Sequence, residues 1–490
     1  MTGLLDLPIE IRENIYRYCL GGEPPYSLNP YTNKMTNPDG SLIDLRITMT
    51  CKQINDEASD YALRQMKFST WSGQAPGTYA GRSEYIMTAL QILYAKRVLP
   101  RVALDQKTCE EMSKALPRFA PCLEAVKADR HVGPGGWSES CREIPSAFRK
   151  LVRSCIQKSS SDRRHRDKPS NLMTTSLATL YTDVQLAALD PAPRSIPSLR
   201  NLERMESSIR SARARLLQEL DTWKWFKHRY SAAALAVKFL ESLPRRTRMR
   251  ITYIVLNEDR PAVGFAECHG LGLIPYCHEN PRLLVERKVD LWRNAFHTTT
   301  THGGIYHLRR WFYNTPQETR NPTLLATNYV SHPVAVWIIE ASELRAAGMP
   351  PGSFTLSFKG DSVCSEIFQT VIIRDAAWQL AMEKCIERGL LPKAMHPRSP
   401  FFWTANNSWY IFHGFPQAVQ DMLDKKSVVK CDFDLGSGID VEELIEEKLA
   451  VCADVKAWEE GWSIRERDWL EPRLPLPSWD SLLCENSSQW

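Results

Sequence analysis

The 490-residue sequence contains no apolar run that approaches the ~18 residues needed to cross a bilayer. Its N-terminus also lacks the uninterrupted apolar core of a secretory signal, because Asp6, Glu10, Arg12 and Glu13 fall where that core would lie. These absences predict a protein without a membrane segment, located in the cytoplasm, the nucleus or both.

Neither positive nor negative charge is in large excess. The chain has 62 basic and 57 acidic residues, and the resulting formal charge of +5 is too small to indicate a nucleic-acid or membrane surface by itself. The thirteen cysteines are odd in number and show no regular spacing. We therefore expect reduced and mostly buried thiols, no disulfides and no nucleic-acid partner.

Catalytic and cofactor motifs are missing as well. The sequence has no G-x-S-x-G elbow, no S-x-x-K, no H-E-x-x-H, no Walker loop and no G-x-G-x-x-G turn. We predict no catalytic residues and no cofactor. An enzyme stays open as an alternative.

The sequence is long enough for two or three domains, because single cores stop growing at ~250–300 residues. The pattern predicts an α+β class: an N-terminal module of short helices, a central helical region and a C-terminal mixed body. The predicted segments are a module at 1–70, a helical segment at 71–157, a basic disordered linker at 158–170, long helices at 171–243, an α+β domain at 244–430 and an acidic, Trp-rich helix and tail at 431–490.

Periodicity predicts the individual elements. A helix that begins near Pro8 has Ile11, Ile15 and Cys19 at i, i+4 and i+8, and Thr50 is expected to cap a second helix. Further helices are predicted after Pro197, from Ser231 to Leu243 and from Asp440 to Trp462. Strands are predicted at Ile251–Leu256, Val334–Ile339, Phe354–Phe358 and Ile367–Ile373.

Two N-terminal segments, Leu5–Tyr16 and Leu45–Ala58, resemble the two halves of the F-box-like domain of a family of fungal interaction proteins. A second stretch, Phe239–Phe296, is similar to the downstream region of the same family and brings no known activity. The resemblance implies that Leu7, Pro8, Ile11 and Ile15 contact the small adaptor subunit of cullin-type ubiquitin ligases. The alternative is that these side chains pack on the helix that follows Thr50.

Histidine and cysteine recur within the second stretch as Cys268-His269 and Cys277-His278. Two thiolates and two imidazoles satisfy zinc, but the nine-residue separation differs from the C-x₂₋₄-C spacing of structural sites. We therefore predict no metal site. The histidines His297, His302 and His307 share no periodic face and are interpreted as loop residues.

The leading hypothesis is a non-catalytic adaptor whose N-terminal module binds a ligase subunit and whose α+β body presents a surface to an unknown protein cargo. A hydrolase or transferase in the body is the first alternative. The second is a nucleic-acid-associated protein that uses two basic clusters, 163–166 and Arg245–Arg248.

Overall fold

The computed structural model describes residues 3–20, 27–29, 34–36, 46–71, 106–115, 196–198, 200–204, 227–296, 325–326, 330–391, 409–452, 454–463, 469–470 and 476–486, with residues 117, 120, 146–147, 150 and 154. The predicted linker at 158–170, the basic cluster at 163–166, the three loop histidines and most of the helix predicted after Pro197 lie outside these residues. No helix in the described part of the chain is long and apolar enough to span a membrane.

In the described part of the chain, nine strands and thirteen α-helices are numbered in chain order. The strands are β1 (Ser27–Asn29), β2 (Lys34–Thr36), β3 (Gln65–Ser69), β4 (Tyr253–Glu258), β5 (Leu284–Asp290), β6 (Leu325–Ala326), β7 (Phe354–Lys359), β8 (Val429–Cys431) and β9 (Trp469–Leu470). The helices are α1 (Ile9–Leu20), α2 (Lys52–Arg64), α3 (Gln106–Ala115), α4 (Ala232–Ser242), α5 (Arg245–Arg248), α6 (Ile274–Glu279), α7 (Ser331–Glu343), α8 (Ser362–Ile367), α9 (Ile373–Glu387), α10 (Phe415–Leu423), α11 (Val441–Val451), α12 (Val455–Ser463) and α13 (Trp479–Asn486). Short 3₁₀-helices occupy Leu4–Asp6, Arg46–Met49 and Ala266–Leu273, and π-helical turns occupy Leu291–Ala295 and Phe368–Ile372.

The main sheet has five parallel strands in the order β3-β4-β5-β7-β8. Its register aligns Met66 with Ile254, Ile254 with Val285, and Val285 with Phe354. Two small antiparallel pairs, β1-β2 and β6-β9, accompany it. The fold is therefore a mixture of helices and strands with a small parallel sheet, while the division into six segments stays a prediction.

One row of helices covers one face of this sheet. The strand order follows the chain order, and right-handed crossovers that advance in one direction place their helices on the same side. Accordingly α4 packs against the 3₁₀-helix Ala266–Leu273, which packs against α7, which packs against α10. The inward side chains of the three central strands are Ile254, Leu256, Glu258, Val285, Arg287, Val289, Phe354, Leu356 and Phe358, and all are buried. Two charged residues thus lie within an otherwise apolar layer.

Two of the four predicted strands are wrong. Val334–Ile339 lies within α7, and Ile367–Ile373 lies in the helical run formed by α8, a π-turn and α9. Both segments are short apolar runs buried against the sheet, and such a run has the same composition in a buried helix as in a buried strand. The strands predicted at Ile251–Leu256 and Phe354–Phe358 are confirmed as β4 and β7.

The predicted N-terminal caps are confirmed for two helices, whereas one predicted C-terminal end and one predicted cap are wrong. Ser231 and Asp440 accept hydrogen bonds from the first backbone N–H groups of α4 and α11. The helix from Asp440 ends at Val451 instead of continuing to Trp462. Thr50 is not the cap of α2, because its hydroxyl donates to the Ile47 carbonyl, while Sγ of Cys51 accepts from the backbone N–H of Ile54.

Candidate functional site

The N-terminal helices α1 and α2 pack through a small core of their own. Tyr16 and Leu20 of α1 meet Ile54 and Ala58 of α2, and all four side chains are buried. Ile54 and Ala58 are one helical turn apart on α2. On α1, however, the buried line is Arg12, Tyr16 and Leu20, one position after the stripe of Ile11 and Ile15 that periodicity suggested.

Arg12 ties this pair of helices to the turn that precedes them. Its Nε and Nη2 donate to the two carboxylate oxygens of Glu57 at 2.9 and 2.8 Å. Its Nη1 donates to the carbonyls of Leu5 and Leu7 at 3.3 and 2.5 Å. The hydroxyl of Tyr16 also donates to Glu57, and hydrogen bonds led by that of Arg12 lower the pKa of Glu57 to about 2. This arrangement, the Arg12 clamp, fixes the backbone around Leu7–Pro8 relative to α2.

The four residues assigned to a partner contact lie outside this core to different extents. Ile11 and Pro8 are exposed, while Leu7 and Ile15 are half-buried. Because each residue turns a helix by about 100°, Ile11 and Ile15 lie about that angle from the buried line of Arg12 and Tyr16. The exposed fractions of the large apolar residues of α1 and its neighbours are 42% at Leu5, 40% at Ile9, 46% at Ile11, 91% at Tyr18 and 82% at Met49.

The N-terminal module is joined to the body by a strand. The last residue of α2 is followed directly by β3, whose residues 65–69 pair with residues 253–257 of β4. Arg250 extends this connection with an ion pair to Asp56 of α2 at 3.5 Å. The surface of α1 is therefore coupled to the sheet through continuous hydrogen-bonded structure, which no local pattern in the sequence indicated.

Arg287 and Glu258 form a second polar group, buried inside the body. Nε and Nη2 of Arg287 donate to Oε1 of Glu258 at 2.9 and 2.7 Å. The remaining guanidinium N–H groups donate to the carbonyls of Ala266 and Glu267, and the guanidinium carbon lies 4.6 Å from the Trp337 ring centroid. The pair thereby joins β4 and β5 to the helical layer above them.

A serine–histidine pair adjoins this ion pair. The hydroxyl of Ser231 and Nδ1 of His269 are 2.6 Å apart, and Nε2 of His269 donates to the Gly264 carbonyl at 2.7 Å. Since that carbonyl can only accept, Nδ1 of the neutral imidazole accepts from the Ser231 hydroxyl. Both side chains are almost completely buried, and Ser231 also caps α4. The arrangement is that of a structural hydrogen-bond chain.

Carboxylates stand at the carboxyl ends of four neighbouring strands, where open α/β sheets place ligands. Asp259 accepts from Thr70, and Asp432 accepts from the backbone of the β7–α8 loop. Asp290 and Asp361 each accept from a backbone N–H at the start of the helical turn that follows. Burial raises the pKa of Asp290 above its usual value. Each of the four carboxylates therefore holds a loop or a helix start of the protein itself.

The side chains considered for zinc have other contacts. Sγ of Cys268 donates to the Phe265 carbonyl, and His278 is bonded to the Gly348 carbonyl, while Cys277 is buried. Across the described ranges, no group of three or more histidine, cysteine, aspartate or glutamate side chains is arranged to hold a metal ion. The ten cysteines that the structure describes are free thiols, and five of them are buried.

Comparison of the chain with known protein families, with curated proteins and with solved structures found no match.

Proposed function

We propose that the chain is a protein–protein interaction adaptor. In this proposal its N-terminal module binds the small adaptor subunit of cullin-type ubiquitin ligases through Leu7, Pro8, Ile11 and Ile15. The body would then present a separate surface to a protein cargo.

The observation that most supports the proposal is that the side chains of α1 that pack against α2 are not the ones assigned to the partner contact. A single short helix can contribute its apolar side chains either to its own core or to a partner. Here Arg12, Tyr16 and Leu20 make the packing against α2, so Ile11 and Ile15 are not needed for it. Ile11 is thus exposed and Ile15 partly exposed, next to an exposed proline at the start of the helix.

Helix-in-groove recognition explains how such a stripe would bind. A few aliphatic anchors that enter a partner's groove dominate the affinity in this mode, and each fully buried aliphatic side chain contributes roughly 1.5–3 kcal/mol. The Arg12 clamp holds the preceding turn in place before binding, which reduces the entropy lost on association.

The test is a double substitution, Ile11→Asp with Ile15→Asp, in a capture assay with the immobilised, purified ligase adaptor subunit. Two carboxylates placed in an apolar contact should weaken binding by at least about a hundredfold. The control variant, Arg17→Gln with Lys52→Asn, makes the same change in net charge at two exposed positions outside the Ile11/Ile15 stripe and should bind like the wild type.

The melting temperature decides between a partner face and a core face. Unchanged thermal unfolding together with lost capture supports the proposal. A sharp fall in the melting temperature of the Ile11/Ile15 variant would instead assign the stripe to the protein's own packing. If the wild-type chain never captures the adaptor subunit, the ligase proposal fails.

A further inference from the structure

Arg248 repeats the geometry of the Arg12 clamp in the body. It stands four residues after Pro244, and its Nη1 donates to the carbonyls of Leu240 and Leu243 at 3.3 and 2.5 Å. Its Nε and Nη2 donate to the two carboxylate oxygens of Glu279 at 2.6 and 2.8 Å. A Leu-Pro turn followed by an arginine one helical turn later is therefore used twice in this chain.

The two clamps present different side chains to solvent. After Pro8 the clamped turn carries Ile9 and Ile11, both exposed. After Pro244 it carries Arg245 and Arg246, both exposed, and the Arg245 side chain is 75% accessible. The same rigid turn thus displays an aliphatic surface in one case and a cationic surface in the other.

Two further arginines belong to the cationic surface. Arg64 and Arg282 are exposed and precede β3 and β5, the strands on either side of β4. Because neighbouring strands lie ~4.8 Å apart, the starts of β3 and β5 are separated by about 10 Å. The Arg282 guanidinium donates to the Met249 carbonyl, which places it against the segment that joins α5 to β4. The four residues Arg64, Arg245, Arg246 and Arg282 are named here the arginine edge.

Acidic groups near the arginine edge neutralise only part of its charge. Glu279 pairs with Arg248 and, at 3.4 Å, with Arg245, and Asp56 pairs with Arg250. Neither Arg64 nor Arg246 forms an ion pair with any residue that the structure describes. All four cations of the edge are arginines, whose planar forks bind carboxylates through two parallel hydrogen bonds.

We propose that the arginine edge is a docking site for a short acidic segment of a protein partner. Carboxylates of such a segment would pair with Arg246 and Arg245 on the clamped turn and with Arg64 and Arg282 beside it. Nucleic acid fits this surface less well, because the positive field is local, is interrupted by Glu279 and Asp56, and belongs to a chain of nearly balanced charge. The proposal does not depend on what α1 binds.

The experiment measures binding of a short fluorescein-labelled peptide of alternating glutamate and serine to the full chain by fluorescence anisotropy. The test variant is Arg245→Glu with Arg246→Glu, which leaves both residues of the Arg248 clamp, Arg248 and Glu279, unchanged in the sequence. The control, Lys430→Glu with Lys456→Glu, makes the same change in net charge at exposed positions on β8 and α12. The affinity of the test variant should fall about tenfold at low ionic strength, and that of the control should stay within about twofold of the wild type.

The dependence of peptide binding on ionic strength and on competing single-stranded DNA distinguishes an acidic-peptide site from a nucleic-acid site. Peptide binding should weaken as ionic strength rises to physiological values, and single-stranded DNA of equal charge should compete less effectively than unlabelled peptide. Equal losses in the test and control variants, or no peptide binding by the wild type at low salt, would overturn the proposal. DNA binding stronger than peptide binding would also overturn it, by assigning the surface to nucleic acid.

Discussion

Replacing Arg287 with methionine tests whether the buried ion pair organises the body. Both side chains of the pair are at most 1% exposed. The substitution removes two bonds to Glu258, two bonds to backbone carbonyls and the contact with Trp337. Among the residues that the structure describes, the donors left to the Glu258 carboxylate are the backbone N–H groups of Ala232 and Ala233, at 3.0 and 3.2 Å.

Removal of one partner from a buried pair costs about 3–5 kcal/mol, because the remaining charge stays in the protein interior without its counter-charge. We expect a loss of about 4 kcal/mol in the free energy of unfolding, measured by urea denaturation followed by circular dichroism. The matched control is Lys288→Met, one position along the same strand and on the opposite face, which should change stability by less than about 1 kcal/mol.

The double substitution Glu258→Gln with Arg287→Met completes a double-mutant cycle with the two single changes, Arg287→Met and Glu258→Gln. It removes both charges and leaves an amide that can still accept from the start of α4, so it should lose at least about 2 kcal/mol less than the sum of the two single changes. Additive losses would show that the two residues stabilise the protein independently. A loss below about 1 kcal/mol for Arg287→Met would refute the reasoning from burial.

Two predictions concern the Arg12 clamp. Arg12→Lys keeps the charge but cannot form the forked contacts, so hydrogen exchange at the backbone amides of residues 4–7 should accelerate; unchanged exchange would mean that the clamp does not hold this turn. Because the pKa of Glu57 is lowered to about 2 from 4.5, its contribution to stability is fully present above pH 4.5 and is lost as the pH falls towards 2. Glu57→Gln should therefore flatten the fall in melting temperature over that pH range, and an unaltered acid dependence would contradict the assigned role.

The elements that could be predicted from sequence are those with local signals. Ser231 and Asp440 cap their helices because a side-chain oxygen reaches a backbone N–H within three residues, and Gly389 adopts the positive φ that ends α9. Phe354–Lys359 alternates as a half-buried strand does. Each of these features is determined by residues a few positions apart in the chain, so it can be predicted from the sequence alone.

The sheet order depends on distant neighbours and could not be predicted in the same way. Residues 65–69 pair with residues 253–257, and nothing in either segment identifies the other. For the same reason the strand prediction for Val334–Ile339 is wrong. Its burial comes from the sheet beneath α7, and an apolar run of six residues has no period that distinguishes a strand from a buried helix.

The packing of α1 could be predicted only in part from its apolar periodicity. The apolar residues of α1 led to Ile11 and Ile15, yet the line that packs on α2 begins with Arg12, which a search for apolar periodicity passes over. A usable signal was present: the spacing of leucine, proline and arginine in Leu7–Arg12 recurs in Leu243–Arg248. Two arginines at the same offset from a Leu-Pro step indicate a shared backbone contact, which a count of charges cannot reveal.

The position of β3 also bears on how an adaptor of this design would work. A flexible linker would let a ligase subunit on α1 and an acidic partner on the arginine edge take any relative distance. Here α2 runs directly into β3, β3 pairs with β4, and Arg250 bonds back to Asp56 of α2. Both proposed docking surfaces are therefore attached to the end of one hydrogen-bonded sheet at which β3, β4 and β5 begin. Two partners bound there would be held at a fixed separation, and the orientation of the cargo would be set by the sheet.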